Sequence, residues 1–265
     1  MPTVPSPVRH ELAVRRLEVT SVQRLTPHMT RIRLGGDDLG GLVSLGPTDH
    51  IKLLVPGPGE AEPVLPSLRD GRIVFPTGTR PPMRDYTIRR HHPDSNEIDV
   101  DIAVHGRGHV SSWAESAMVG AVIGTGGPRG SHPIPVADQY ALIGDASSLP
   151  AIGRWLEELP ASATAQVLVA ADEPEDEIEL ESRAAVKTHW VHDSSGVPAD
   201  RLAEGLSLLD LSGDDLYVWA AGEVIALRSV RDRLRGWGLS EDQVAVDGYW
   251  RRGEADYDHH RPLDE

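Results

Sequence analysis

The chain has 265 residues, of which 39% are hydrophobic and 25% charged, a composition that fits a globular protein of one large domain or two ordinary ones. Its formal net charge of -15 argues against nucleic acid and anionic lipid as partners, and its lack of cysteine excludes disulfides, thiolate metal sites and cysteine nucleophiles. The first residues lack the apolar core of a signal peptide and no run reaches 18 apolar residues, so we expect no membrane span and a reducing, cytoplasmic location.

The first half of the chain has the pattern of antiparallel β structure. Short β-rich runs separated by turn residues lie at 12–24, 29–34, 49–55, 72–75, 84–90, 97–105 and 119–124. Such spacing is typical of a small barrel. A short helix is predicted at 109–117, directly after the glycines Gly106 and Gly108.

From about residue 135 onward, strands alternate with helices. Strands are predicted at 139–144, 165–171, 188–193 and 216–221, and helices at 149–159, 198–209 and 224–237. This alternation predicts a doubly wound parallel sheet. The proline-rich stretch at 131–138 marks a boundary, so we expect a β-barrel domain over 1–135 and an α/β domain of nucleotide-binding type, with a C-terminal extension, over 136–265.

The predicted strand at 84–90 carries the residues with the clearest chemistry. Its period of two turns Arg84 and Tyr86 to one face and Thr87 to the other. Tyr86 can lie flat on an aromatic ring system, Arg84 can bind a phosphate, and Thr87 can reach a ring nitrogen. The set suits a flavin, although an ordinary strand with a surface arginine and a half-buried tyrosine fits these residues equally well.

Turns that follow predicted strands offer further ligand contacts. The turn at 105–112 opens a helix, so its N–H groups and serines suit a pyrophosphate, with a plain helix cap as the alternative. The loops at 144–152 and 220–223 lie where parallel strands end, and ligands of open α/β sheets bind there. Within the first of these loops, the candidate contacts to a nicotinamide cofactor are Asp145, Ser147 and Ser148, and a helix cap competes as the explanation of the two serines.

The histidine pairs His91-His92 and His259-His260 are interpreted as loop and tail residues, because their spacing repeats no known metal site. We therefore expect no metal site. Neither glycine-rich turn of the first domain matches the dinucleotide fingerprint of an α/β sheet.

Together these motifs resemble the siderophore-interacting protein family, whose members are FAD-dependent ferric-siderophore reductases of the ferredoxin–NADP reductase superfamily. The matching segments, in the family's order, are HIKLLVP (50–56), MRDYTIRR (83–90), IDVDIAVHG (98–106), SSWA (111–114), GGPRGS (126–131), GDASSLPAIGRWLEELPA (144–161), WAAGE (219–223) and GYWRRG (248–253). The last of them and the GD–LPAI run are fairly specific to the family, whereas the Arg-Tyr-Thr strand is shared with the wider superfamily.

The resemblance implies a six-stranded antiparallel FAD-binding barrel followed by an NAD(P)H-binding-type domain. It implies reduction of ferric siderophores to release Fe(II), with electrons from NADH, NADPH or a reduced ferredoxin. The flavin carries the electron transfer, so no catalytic residue is expected. The implied FAD contacts are Arg84, Tyr86, Thr87, Ile88, Asp101, Ala103, His105, Val110, Ser111 and Ser112. The cations that would receive an anionic ferric siderophore are Lys52, Arg129 and one of Arg251 and Arg252, which rank equally.

Two departures from the family leave other functions open. Members usually read GDET where this chain has Gly144-Asp145-Ala146-Ser147, and His109 replaces a more usual small residue or proline. A general flavin reductase or electron-transfer module would use the same scaffold. A flavin- or siderophore-binding protein without turnover is favoured by the missing acid at Ala146. We expect a monomer in each case.

Overall fold

A computed structural model of the chain describes residues 1–76, 80–106, 108–192, 199–254 and 257–264. The chain forms two compact units. Ser6–Pro133 makes up one of them, called here the barrel unit. Met1–Pro5 and Ile134–Glu265 make up the other, called the α/β unit.

The barrel unit is built almost entirely from β-strands. They are β1 Val8–Arg9, β2 Val14–Thr26, β3 Met29–Gly35, β4 His50–Leu54, β5 Ser67–Arg69, β6 Arg72–Val74, β7 Met83–Thr87, β8 Arg90–His92, β9 Glu97–Ala103, β10 Val122–Gly126 and β11 Gly130–Ser131. One helix, α1, spans His109–Glu115.

Seven of these strands form one antiparallel sheet in the order β7-β4-β10-β2-β3-β9-β8. The two residues that follow β7 donate hydrogen bonds to segments near the two ends of this strand order. The N–H of Ile88 donates to the carbonyl of Asp49 at 2.8 Å, beside β4, and the N–H of Arg89 donates to the carbonyl of Asp99 in β9, also at 2.8 Å. Because these consecutive residues bond near opposite ends of the strand order, the sheet curls around its core, although among the described strands no β7–β8 ladder closes the ring.

The seven strands come from six of the predicted runs. The run predicted at 84–90 divides into β7 and β8, because Ile88 and Arg89 turn to different neighbours. The run predicted at 72–75 does not join the sheet, because β6 pairs with β5 in a separate hairpin. The predicted antiparallel class of the first unit is confirmed.

Alternate residues of the strands pack inside the curled sheet. Its fully buried side chains include Leu17, Ile32, Ile51, Ile98 and Ile123. Each such side chain contributes about 1.5–3 kcal/mol when it leaves water. Helix α1 covers this core with two further buried side chains, Val110 and Ala114.

The α/β unit alternates strands and helices, as the sequence predicts. Its elements are β12 Gln139–Asp145, α2 Leu149–Glu158, β13 Thr164–Ala171, β14 Ala185–His192, α3 Ala199–Gly205, β15 Leu216–Glu223, α4 Val224–Gly236 and β16 Val244–Trp250. The strands form one sheet in the order β14-β13-β12-β15-β16, and each neighbouring pair is parallel. The strand predicted at 188–193 and the helix predicted at 198–209 each run partly onto residues 193–198, which lie outside the described part of the chain.

Helices cover both faces of this sheet. Trp155 of α2 packs against Tyr140, Tyr217 and Trp219, with ring centroids 6.0–6.1 Å apart. Residues of alternate parity, such as Ile143 and Val218, face α3 and α4 in a separate core cluster. The predicted doubly wound parallel class is therefore confirmed.

The first residues of the chain pack with the α/β unit. Thr3 and Val136 form an antiparallel bridge, and the terminal amine of Met1 lies 2.9 Å from Oδ1 of Asp215. Within the described residues, no helix has the length and apolar character that crossing a membrane requires.

Candidate functional site

Strand β7 presents the flavin-type residues as the period of two predicts. It pairs with β4, so Arg84 lies beside Leu53 and Tyr86 beside Ile51. Residues opposite each other in an antiparallel pair share a face, and Leu53 and Ile51 belong to the barrel core. Arg84 and Tyr86 therefore lie on the core-facing side of β7, and Thr87 lies on the other side.

The Tyr86 ring is held at the margin of the core. It is partly buried and packs against the core cluster. Burial raises the pKa of Tyr86, and the nearby Arg84 charge acts in the opposite direction without cancelling it. The side chain therefore stays a neutral phenol at physiological pH. Ile88 is fully buried, so any ligand contact it makes goes through its backbone.

Helix α1 starts from a turn that only glycine makes without strain. Gly106 and Gly108 have φ values of 66° and 80°, in the left-handed region. Arg107, between them, lies outside the described residues. The first N–H groups of a helix have no partner within it, so the start of α1 offers donors to an anion.

The residues of α1 that are candidates for binding the pyrophosphate differ in how far their side chains are exposed to solvent. Val110 and Ser111 are buried, and the Ser111 hydroxyl accepts a hydrogen bond from the N–H of His105 at 3.0 Å. Ser112 is exposed. Val110 therefore contributes backbone only, Ser111 also orders the turn, and Ser112 alone presents a hydroxyl to solvent.

A cavity of about 380 Å³ lies beside α1. Trp113, Met118 and Pro56 are among its apolar walls, and His109 and Ser112 stand at its polar side. Its lining combines a broad apolar surface with polar groups next to a helix start, a combination that suits a flat heterocycle attached to a phosphate.

Strand β9 carries a candidate whose carboxylate is already engaged. Asp101 is buried and accepts two hydrogen bonds from Arg31, at 2.7 and 2.8 Å. Arg89 Nε lies 3.8 Å from Oδ2 of the same carboxylate. These arginines leave the Asp101 side chain a structural role in the barrel wall. Ala103, at the end of the same strand, and His105, just beyond it, are only partly buried or exposed.

The two barrel-unit cations proposed for siderophore binding differ in their surroundings. Lys52 Nζ pairs with Asp85 Oδ2 at 2.6 Å, across the β4–β7 ladder, and both side chains reach solvent. Arg129 is exposed, and its guanidinium has no side-chain partner among the described residues. The β10 residue opposite Lys52 is Gly126, three positions before Arg129. Lys52 of β4 therefore lies opposite the last residue of β10, and Arg129 lies in the turn that follows β10.

In the α/β unit, Asp145 ties the loop after β12 to its surroundings. Its carboxylate accepts hydrogen bonds from Ser147, from the N–H of Glu223 at 2.8 Å and from Trp250 Nε1 at 2.9 Å. Burial raises the pKa of Asp145, and these hydrogen bonds act to lower it. Ser148 is fully buried, and its hydroxyl donates to the Asp145 carbonyl at 2.7 Å. The Asp145 carboxylate is therefore held by hydrogen bonds within the protein and Ser148 is buried, whereas Ser147 is a partly exposed hydroxyl beside them.

The two arginines after β16 are distinguished by exposure. Arg251 is half-buried and lies 3.9 Å from Glu254. Arg252 is exposed, and its backbone N–H donates to Glu223 Oε1 at 3.1 Å. Glu223 also caps α4 by accepting from the N–H of Ala226. A buried carboxylate thus fixes the backbone from which the Arg252 side chain projects.

Sequence reasoning missed two partners of the site, Asp85 and Trp250. Asp85 lies inside the flavin-type motif, yet only the pairing of β4 with β7 shows that it holds Lys52. Trp250 belongs to the GYWRRG segment, and its bond to Asp145 spans 105 positions. Local spacing carries no signal for either contact.

Comparisons with known proteins agree across the whole chain. Residues 18–132 match a family model described as a siderophore-interacting FAD-binding domain, and residues 137–253 match one described as a siderophore-interacting protein. An NADPH-dependent ferric-chelate reductase of Escherichia coli is 34% identical, over 94% of this chain and 97% of that protein.

Two further similar proteins extend the agreement. A ferric vibriobactin reductase of Vibrio cholerae is 29% identical, over 93% of this chain and 92% of that protein. The crystal structure of a siderophore utilization protein from T. fusca has a TM-score of 0.90 at 36% identity, covering 98% of this chain and 100% of that one.

Proposed function

Since the chain belongs to the siderophore-interacting protein family, we propose that it reduces ferric siderophores and releases the iron as Fe(II). It is an FAD-dependent oxidoreductase, and NADH or NADPH supplies its electrons. The main structural support is that Tyr86 and Arg84 lie on the same face of β7, at the margin of the barrel core.

The residues of the barrel unit fit FAD. Tyr86 offers an aromatic face, Arg84 a cation for phosphate, and the start of α1 offers N–H donors. We assign the adenosine end to the cavity beside α1, because its apolar walls adjoin His109 and Ser112. When bound, FAD converts the two-electron chemistry of NAD(P)H into single-electron reduction of Fe(III).

The residues of this chain bind and orient the reactants. Thr87, Ile88, Asp101, Ala103 and His105 border the proposed flavin position, with Ile88 acting through its backbone and Asp101 by holding the barrel wall. Lys52 and Arg129 attract the anionic chelate, because cations that approach the ligand closely act more strongly on it than the distant acidic charges, which salt screens.

We assign one further cation of the substrate site to the segment after β16. Arg251 and Arg252 both follow the GYW residues of the family motif, and Arg252 is the more exposed of the two. Its backbone is fixed by the buried Glu223. We therefore favour Arg252 as the residue that reaches substrate.

The nicotinamide contact is assigned to the loop after β12, at the carboxyl end of a central parallel strand. Ser147 and the loop backbone make it, whereas Asp145 and Ser148 hold the loop in shape. Ala146 supplies no acid, so the hydrogen bonds to the nicotinamide come from Ser147 and from main-chain groups.

NAD(P)H is the donor we favour, because the similar protein of Escherichia coli is NADPH-dependent, and a reduced ferredoxin is the second donor to be tested. The protein works as a monomer in the cytoplasm, where NAD(P)H is available. Light scattering of the purified protein measures the oligomeric state directly.

The function is tested by steady-state assays with FAD-loaded protein. NADPH, NADH or reduced ferredoxin is supplied with a ferric siderophore, and a chromogenic Fe(II) chelator records the product. We expect Fe(II) formation that requires FAD and a reduced nicotinamide. Turnover of free flavins or ferricyanide without turnover of any ferric siderophore would instead identify a general flavin reductase.

A further inference from the structure

The C-terminal segment brings together two imidazoles and a carboxylate that the reductase site does not use. Asp258, His259 and His260 offer one ligand atom each, and these atoms lie within 4.8 Å of one another. Among the described residues, this is the one group of three or more such side chains within reach of a common ion. From the sequence alone, His259 and His260 were predicted to be tail residues without a metal.

A tight turn accounts for the convergence. The N–H of Arg261 donates to the carbonyl of Asp258 at 3.0 Å, which closes a four-residue turn. Within it, the N–H of His260 donates to Asp258 Oδ1 at 3.1 Å, and the two imidazole centroids lie 4.0 Å apart.

Comparison with the pair His91-His92 shows that the turn is what brings the two C-terminal imidazoles together. His91 and His92 are consecutive on strand β8, where neighbouring side chains point to opposite faces. His92 is also bonded to Asp99 at 2.9 Å, in the barrel wall. Two adjacent histidines therefore converge in the C-terminal turn and diverge on the strand.

Arg261, the cation that follows the three residues in sequence, does not oppose a metal ion. Arg261 Nη1 pairs with Glu254 Oε1 at 2.7 Å, and the guanidinium lies over the Tyr257 ring, 5.6 Å from its centroid. Its charge is compensated by Glu254 and directed to that side. The overall charge of -15 also favours the approach of a cation.

The donor set selects a class of metal. Two imidazole nitrogens and one carboxylate oxygen suit first-row transition metals, whereas Ca²⁺ and Mg²⁺ prefer oxygen ligands throughout. The three donors lie within 4.8 Å of one another, so ligand bonds of about 2.0–2.2 Å need at most a small adjustment of their side chains. Asp258 and His260 are exposed, so a change of rotamer achieves this at little cost.

We propose that Asp258, His259 and His260 form a surface site for a divalent transition metal, occupied physiologically by the Fe(II) that the reaction releases. Two histidines and one carboxylate leave coordination positions open to water or to a receiving ligand, as in mononuclear Fe(II) sites. The choice of Fe(II) as the metal depends on the proposed function, whereas the site itself is inferred from the geometry of the turn.

The experiment titrates the full-length protein with Co(II), followed by visible absorption, and anaerobically with Fe(II), followed by calorimetry. Neither NAD(P)H nor siderophore is present. The variant H259N/H260N removes both imidazoles of the site, and H28N/H132N removes two exposed imidazoles elsewhere. We expect one bound metal per chain, affinity lowered about tenfold or more in H259N/H260N, and unchanged binding in H28N/H132N.

The outcomes separate the site from the reductase. A wild-type protein that takes up neither metal, or equal losses in both double variants, would overturn the site. Binding of Co(II) without Fe(II) would overturn the assignment of iron. A protein that binds metal at this turn but reduces no ferric siderophore would refute the proposed function and leave the metal site standing.

Discussion

Tyr86 is the residue on which flavin binding depends most directly. Its ring packs at the margin of the core on the same face as Arg84, so it is positioned before any ligand arrives. An aromatic face held in this way binds a flat ring without first losing side-chain freedom.

We expect Tyr86→Ala to weaken FAD binding about tenfold or more, because the stacking surface is lost. Tyr86→Phe keeps the ring and serves as the matched control, with affinity within about threefold of wild type. Flavin absorbance after gel filtration reports retention, and titration with FAD gives the affinity. Equal retention by the Ala variant and wild type would remove Tyr86 from the site.

The negative charge of Asp85 weakens the electrostatic attraction between Lys52 and an anionic substrate. The two groups form a 2.6 Å pair that is open to solvent on both sides. Exposed pairs are worth little in stability, so their main effect here is on the local field.

Asp85→Asn should therefore lower KM for an anionic ferric siderophore, by about two- to fivefold, because the Lys52 charge is no longer neutralised. The kcat should change little. Asp94→Asn removes an equal charge from an exposed turn of the same unit and is the control. A rise in KM for Asp85→Asn would mean that Lys52 needs its partner in order to reach the substrate.

At the scale of elements, the β3–β9 pair is braced by ion pairs on its outer face. Arg33 donates to both oxygens of Asp99, at 2.7 and 3.0 Å, and His92 adds a third bond. Burial acts to raise the pKa of Asp99, but the hydrogen bonds from Arg33 and His92 outweigh it and hold the pKa below its usual value.

A depressed pKa in the folded state fixes the sign of the pH dependence. The stabilisation is present above the unfolded-state pKa of about 4 and is lost as pH falls through the lower folded-state value. At pH 7 we expect Asp99→Asn to lower the melting temperature by about 2–8 °C, since Arg33 loses its partner.

The gap in melting temperature between wild type and Asp99→Asn should close as pH falls below about 4, because the protonated acid resembles the amide. Thermal unfolding at a series of pH values measures it, and Asp94→Asn should show no gap at any pH. A gap that stays constant down to acid pH would show that the charge of Asp99 contributes nothing.

The elements themselves were largely predictable from sequence. Short β-rich runs between turn residues located most strands of the barrel unit, although not β1, β5 or β11, and apolar runs located β12, β13 and β15. The division between β7 and β8 was not predictable, because Ile88 and Arg89 bond to strands that are distant in sequence. The prediction that the run at 72–75 joins the barrel was wrong for the same reason, because the pairing of strands depends on the whole sheet.

The candidate site was predictable to a smaller extent. Arg84, Tyr86 and Thr87 follow from a period of two, which is a local property of the strand. The hydrogen bonding of the Asp145 carboxylate does not, because its partners Glu223 and Trp250 come from later strands of the parallel sheet. Contacts between distant strands depend on register, and register leaves no mark in the spacing of one segment.

At the scale of the whole molecule, a strongly acidic protein is assigned an anionic substrate. The net charge of -15 repels such a ligand at long range. Charges farther apart than a Debye length of about 8–10 Å are largely screened at physiological salt, so local cations decide the final approach.

The double variant K52A/R129A should therefore raise KM for an anionic ferric siderophore about tenfold and leave FAD affinity unchanged. R69A/R72A removes two exposed cations of the β5–β6 hairpin and is the matched control. The difference should shrink as ionic strength rises. Equal effects of the two double variants would assign the change to overall charge and leave Lys52 and Arg129 without a docking role.

The most direct test is an anaerobic single-turnover experiment with FAD-loaded protein. One equivalent of NADPH per flavin is added first, and the ferric siderophore follows once the flavin colour has been lost. We predict that the colour returns and that about two Fe(II) appear per flavin, since each Fe(III) accepts one electron. A flavin that NADPH bleaches but the ferric siderophore leaves colourless, with no Fe(II) formed, would contradict the proposed function.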